Sequence, residues 1–250
     1  MGVYAVAGVR VRKAVFLLGT AALCLWISPW SIIPMAVCAV ISYVCGRLIY
    51  RFADKKGLKR LWLIISLVIN IAVFLIFVRS GHSSYDITSL FTGKGAVIKL
   101  FPVWGAGVFT LHGISYCIDI YRGDIQPEKS FLLVSQYICF FPCLSCGPIL
   151  RFSDMSEQLK KPVISSDKLA EGIKLMLIGF AEKLFLSDSM YEMWQHIREV
   201  STDSLSTACA WLGIIAFSFA FYYELRGYAH IAKGLGSMFG FELPDNFDLP

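Results

Sequence analysis

The chain has 250 residues, of which 56% are hydrophobic and 16% charged, with a mean hydropathy of +0.63. It is too apolar and too poor in charge for an ordinary soluble domain, so an integral membrane protein is expected. The net charge of +5 does not point to nucleic acid, because the basic residues cluster beside apolar runs, where lipid headgroups and the positive-inside rule account for them.

In chain order, Arg10, Arg12 and Lys13 precede an apolar run from Ala14 to Ile27. Ser28-Pro29-Trp30 predicts a turn, and Ser31 to Tyr50 runs back. The segment Arg51 to Arg60 then carries five positive charges and one negative. Two spans joined by a tight turn put both basic clusters on one side, which the positive-inside rule makes the cytoplasm; the N-terminus is expected there too. Leu61 to Val78 is free of charge, about the minimum needed to cross roughly 30 Å of hydrocarbon, and Asn70 is its one strongly polar interruption. Arg79 to Gly95 reads as an outside loop, and Ala96 to Ile118 returns, with Pro102, Gly105, Gly107 and Gly113 permitting close packing or a bend.

Next comes the stretch that an uninterrupted span would not need. A charged turn is expected at Asp119 to Asp124, and the apolar segment Phe131 to Leu150 is broken by Pro142, Gly147 and Pro148. Lipid offers no partner to a freed N–H or C=O, so irregular backbone at membrane depth belongs where protein or a water-filled cavity satisfies it. The rival reading is a Pro-kinked spanning helix. Beyond it, Arg151 to Lys174 is polar with mixed charges, and Gly172 to Leu186 reads as a short span or an interfacial amphipathic helix. Ser187 to Thr207 is polar, Ala208 to Tyr223 is an apolar span, and Glu224 to Phe241 continues it with charges. No internal repeat or linker is visible, so residues 1–250 read as a single multi-pass membrane domain.

Several constellations invite chemistry. Arg226, His230 and Lys233 stand at i, i+4 and i+7, one stripe on a helix. The stripe either faces a cavity receiving an anionic group or marks a helix end at the headgroups, and the second reading is preferred. His230 is a candidate general base, but no Asp or Cys stands at a spacing that would organise it. Glu182 and Lys183 are adjacent in an apolar helix, point about 100° apart, and are not expected to pair with each other. His112 reads as a packed, hydrogen-bonded histidine. Cys139, Cys143 and Cys146 have the C-x3-C-x2-C spacing of a radical iron–sulfur site, yet lie in an apolar, broken segment and read as packing residues, as do the other five cysteines. No metal site is assigned.

Four blocks in order, ISYCIDIYRG, FFPCLSCGPILRFSDM, GFAEKLFLSD and GYAHIAKGLGSMFGFELPDNFDLP, resemble the membrane-bound O-acyltransferase family. The likeness is strongest to its bacterial branch of alginate O-acetyltransferase and the D-alanyl transfer protein of teichoic acid. The resemblance implies a multi-span helical bundle with broken or re-entrant helices around a central funnel, in the bacterial inner or plasma membrane. It implies transfer of an acyl group, most often acetyl, to hydroxyls of a polysaccharide or cell-envelope glycan. The donor would be acetyl-CoA or another acyl thioester, with no bound cofactor. Partners would be membrane lipid and the glycan acceptor, reached through a periplasmic or extracellular partner acetyltransferase. Tyr121, Arg122, Gly147, Pro148 and Arg151 become candidates for the funnel lining, joined by Arg226, Tyr228, His230, Lys233 and Asn246.

The resemblance puts the family's catalytic histidine beyond Asn246-Phe247-Asp248-Leu249-Pro250, so no catalytic residue is assigned here. His82, His112, His196 and His230 do not occupy its position. The chain is read as the N-terminal portion of a longer acyltransferase domain or as a truncated relative. Two departures stand out: Glu224-Leu225-Arg226-Gly227-Tyr228-Ala229-His230 replaces the family's Asp-Phe-Ser-Gly-Tyr-Ser-Asp, and His112 replaces a glutamine. The rival functions are a non-catalytic membrane subunit of a glycan-modification or export complex, and a transporter or flippase, against which the lack of a repeat argues.

Overall fold

The computed structural model describes residues 9–80, 103, 105–144, 147–201 and 204–246. Every regular element among them is a helix, and the chain forms two compact units, Met1–Ser145 with Ile149–Pro162, and Cys146–Pro148 with Val163–Pro250. The expected loop at 79–95, Pro102, His82, Cys146 and the last four residues lie outside the described residues, apart from the helical backbone of Arg79 and Ser80.

In the first unit, α1 (Val9–Ile27) ends at a one-turn 3-10 helix, Pro29–Ser31, which reverses the chain into α2 (Ile32–Arg51). Pro29 opens the turn, where a missing N–H costs nothing. α3 (Lys56–Ser80) and α4 (Ala106–Arg122) follow, and α2, α3 and α4 each pack against the other two. They meet at Gly113, where a Cβ would come within 2.5 Å of Ser42 Oγ and 2.8 Å of Asn70 Oδ1. Small residues allow that approach; Ser66 Oγ donates across the interface to Cys117 Sγ at 3.1 Å, while Asn70 Nδ2 donates within its own helix to the Ser66 carbonyl at 2.9 Å. Asn70, the polar interruption of its span, is therefore fully buried in a helix interface.

The charged turn expected at Asp119 to Asp124 is a correction. The helix runs on through Asp119, Ile120, Tyr121 and Arg122, because Gly123 adopts φ +89° and caps it. The Gly123 amide donates to the Ile120 carbonyl and the Asp124 amide to the Asp119 carbonyl, the paired bonds of a Schellman end. α5 (Phe131–Ile138) is only eight residues, about 12 Å, and cannot cross the hydrocarbon. After it the chain makes a 3-10 turn, Phe141–Cys143, and is not helical from Gly147 to Arg151. The break expected from Pro142, Gly147 and Pro148 is thus present, and it excludes the kinked spanning helix. α6 (Phe152–Lys160) is amphipathic, burying Phe152, Met155 and Leu159.

In the second unit, α7 (Ser166–Ala181) runs without interruption into a π-helical segment, Glu182–Ser187, and α8 (Asp188–Glu199). The stretch read as polar, Ser187 to Thr207, is helical up to Glu199. α9 (Thr207–Met238) folds back antiparallel along this rod. The contact is made by glycine: Gly172 and Gly179 are the only buried residues of α7. A Cβ on Gly179 would lie 2.5 Å from the Gly227 carbonyl oxygen, and one on Gly172 2.6 Å from that of Gly234. Gly213, Ala220, Gly227 and Gly234, seven residues apart, form the facing seam on α9. Opposite them the spacing is Gly172, Gly179, then Ser187, one residue late, because the π turn holds one more residue than an α turn. Ser187 Oγ donates to the Ala220 carbonyl at 2.9 Å.

Among the described residues three helices are long and apolar enough to cross a membrane: Pro29–Arg51, Lys56–Ile76 and Thr207–Met238. Their outer faces are apolar, as are those of α1 and the α7 rod, with Trp26, Leu18, Leu177, Phe185 and Trp211 all exposed. Such surface would be a liability in water and is what a bilayer requires.

Candidate functional site

In the first unit the broken segment is held from α4 and α5. The Leu150 amide donates to His112 Nε2 at 3.2 Å, and Tyr137 Oη donates to the Leu150 carbonyl at 2.7 Å. Both rings are fully buried and stack at 5.0 Å. Two side chains thus satisfy both backbone groups of one residue that the helix break has left free. His112 acts here as an acceptor, which the amide oxygen of a glutamine would also be. Phe152 closes the cluster, with its ring edge-on to Tyr116 and Tyr137 at 4.9 and 5.2 Å.

The clamp fixes the backbone next to Arg151, whose side chain stays exposed. Burial pushes the Asp119 carboxyl above its ordinary range, and the charge of Arg151 opposes that shift. Of the other expected lining residues in this unit, Arg122 is exposed, and Tyr121 is half-buried beneath Lys59 Nζ, 4.8 Å from its ring centre. Cys139 and Cys143 are buried among apolar side chains.

In the second unit the basic stripe gains a partner that sequence spacing did not reveal. Glu182, at the start of the π segment and largely buried, places Oε2 2.7 Å from His230 Nδ1 and Oε1 3.3 Å from Arg226 Nε. The first is a hydrogen bond; the second is a charge contact without hydrogen-bond alignment. The absence of an acid able to organise His230 is therefore a correction: the acid is 48 positions away in sequence, on the neighbouring helix. Glu182 and Lys183 do not pair with each other. Lys183 Nζ meets Asp188 Oδ1 at 2.5 Å, an i, i+5 pair that the π turn brings to one face.

Lys233 pairs with Asp245, and Lys168 with Glu242 at 2.8 Å, so two ion pairs tie the non-helical segment after α9 back to the helices. A hollow of about 80 Å³ opens between Arg226, His230, Lys233, Pro244, Asp245 and Asn246. The structure thus brings together four of the predicted residues, Arg226, His230, Lys233 and Asn246, with Glu182 behind them. Arg226 and His230 share Glu182, and Lys233 has Asp245, so the two permanent cations of the stripe are matched by two carboxylates and the hollow is not anion-seeking. With Nδ1 engaged by Glu182, the other ring nitrogen of His230 is the one available for proton exchange. Tyr228 is half-buried on the same helix and does not line this hollow. Gly147 and Pro148 belong to this unit, half-buried and buried. Among the described residues no group of three or more His, Cys, Asp or Glu could hold a metal ion.

The sequence has curated relatives. It is 29% identical to the probable alginate O-acetylase of Pseudomonas aeruginosa, over the whole chain and 48% of the relative. It is 25% identical to a peptidoglycan O-acetyltransferase of Helicobacter pylori, over 88% of the chain and 47% of the relative. A teichoic acid D-alanyltransferase of Lacticaseibacillus rhamnosus is 23% identical over 85% of the chain and 54% of the relative. The chain spans about half the length of these relatives. The profile of the MBOAT, membrane-bound O-acyltransferase family matches residues 22–248, nearly the whole sequence, and the chain belongs to that family.

Proposed function

We propose that the parent protein is a membrane-embedded O-acyltransferase that moves an acyl group, most often acetyl, from a thioester donor such as acetyl-CoA to a hydroxyl of a polysaccharide or cell-envelope glycan. The observation that carries this reading is the family match over residues 22–248, together with relatives whose names give three different envelope or exported glycans as acceptors. Acyl transfer to a sugar hydroxyl is ordinary general-base chemistry: the hydroxyl loses its proton as it attacks the thioester carbonyl, and the thiol leaves. A polar donor and an exported sugar must meet without opening the membrane. The clamped backbone beside Arg151 supports its place in the lining of a passage where the two meet.

The balanced charge of the Arg226, His230 and Lys233 hollow suits a neutral, hydroxyl-rich group better than a phosphate, so we assign it to the sugar side of the reaction. The catalytic base is expected beyond Pro250, and the acceptor is delivered with the help of an extracytoplasmic partner acetyltransferase. The basic clusters around Arg12 and Arg51 orient the N-terminus to the cytoplasm of a bacterial inner membrane. The test uses the full-length protein in membrane vesicles with radiolabelled acetyl-CoA and glycan. Arg151→Ala is expected to abolish labelling of the glycan while the protein still inserts; unchanged transfer at normal expression refutes the assignment.

A further inference from the structure

A second, larger hollow lies in the first unit, where α2 ends and the chain approaches α5. It measures about 720 Å³ and is lined by Arg47, Leu48, Tyr50, Arg51, Gln126, Pro127 and Lys129. Three cations face it and no carboxylate does. None of the three has an ion-pair partner among the described residues. The nearest acid in sequence, Glu128, is occupied elsewhere: its Oε1 accepts from the amides of Lys129 and Ser130 at 2.8 and 3.2 Å, and Oε2 lies 3.9 Å from Lys160.

One of the cations, Arg47, is also held in place, and the backbone of Lys129 is fixed by the same tyrosine. Tyr43 Oη donates to the Lys129 carbonyl at 2.9 Å and accepts from Arg47 Nη1 at 2.9 Å, with the guanidinium carbon 5.6 Å from the Tyr43 ring centre. One tyrosine therefore ties the end of α2 to the loop before α5 and aims Arg47 beside Lys129. Simple snorkelling of long side chains to the headgroups would need no such bracket. The contrast with the Arg226 stripe is electrostatic. There Arg226 and Lys233 each face a carboxylate of the protein, whereas here the charges stand uncompensated and together, a field that favours a multiply charged anion.

We propose that Arg47, Arg51 and Lys129 form a binding site for a phosphate ester group. Its position at the cytoplasmic end of the spans, an orientation that rests on the reading above, offers two sources: the phosphate of an anionic lipid headgroup, or the phosphates of a nucleotide-bearing thioester donor. The volume is of the size that holds a small-molecule ligand.

The experiment measures acetylation of Lys129 by an N-hydroxysuccinimide ester, with Lys56 as an internal reference, on the full-length protein in nanodiscs. Discs of phosphatidylcholine alone are compared with discs containing added phosphatidylglycerol, and with phosphatidylcholine discs plus coenzyme A. Protection by phosphatidylglycerol alone assigns the site to lipid, protection by coenzyme A alone to the donor, and protection by both to phosphate esters generally. Arg47→Gln or Arg51→Gln is expected to raise the half-protecting ligand concentration ~10-fold or more, and Tyr43→Phe to do so more weakly. Labelling of Lys129 that neither probe slows, or protection that survives loss of both arginines, overturns the site. Acyl transfer is not read, so failure of the acyltransferase reading leaves this outcome interpretable.

Discussion

The two units deal with irregular backbone in opposite ways. In the first, the chain after α5 gives up helical hydrogen bonding, and the freed groups of Leu150 must be met by His112 and Tyr137 from other helices. In the second, the π segment Glu182–Ser187 keeps its bonds within the helix and only changes their span, so it needs no outside partner. The break opens the backbone and depends on buried polar side chains. The π turn leaves the rod intact and changes which side chains share a face, which is how Lys183 comes to meet Asp188 and how Ser187 rejoins the small-residue seam. The break therefore calls on partners from other helices, and the π turn re-aims charge.

The largest effect tests the rod. Gly179→Leu or Gly227→Leu places atoms against a carbonyl that belongs to a helix and cannot step aside. The expected loss exceeds the ~1–3 kcal/mol usual for overpacking, and folded protein recovered in detergent should collapse. Recovery at the normal yield and melting temperature would show that the seam is not a close contact. Next is the break: His112→Leu strands the buried Leu150 amide and should cost ~1–3 kcal/mol in thermal unfolding, while His112→Gln retains an acceptor and should cost much less. Equal losses in the two variants would mean that ring packing, not the hydrogen bond, holds the break.

Ser187→Ala should lower stability by less than about 1 kcal/mol, since the Ala220 carbonyl keeps the partner its own helix provides. A loss as large as that of His112→Leu would erase the distinction between the two devices. The smallest effect concerns the segment after α9. The hydrogen bond from Lys168 holds the exposed Glu242 carboxyl below its ordinary value. A depressed acid contributes stability above its unfolded value and loses it as pH falls through its folded value. The melting-temperature difference between the native protein and Lys168→Met should be small at neutral pH and vanish at acid pH, and high salt should shrink it.

Much of this was legible in the residues. The turn at Pro29, the break announced by Pro142, Gly147 and Pro148, and the spans themselves follow from local rules, because apolar length, ring closure at proline and freedom at glycine act on neighbours in the chain. The family wording was legible for the same reason, as contiguous blocks. The end of α4 was misplaced because charges at Asp119 and Arg122 read as a turn, although Gly123 is what ends the helix. The π segment was not legible, since nothing in Glu182 to Ser187 departs from an ordinary helical pattern.

By itself the sequence determined an all-helical membrane chain of the O-acyltransferase family, with a break after α5 and a basic stripe on α9. Only the tertiary structure decided which of those charges are spent. Glu182 is 44 and 48 residues from the Arg226 and His230 it meets, and Arg47 stands beside Lys129 because Tyr43 bridges two segments 86 residues apart. Charge in a sequence is additive and local to the eye, whereas the field at a site depends on distance in space. That is why a stripe of cations proved balanced, and three scattered ones proved to stand together uncompensated.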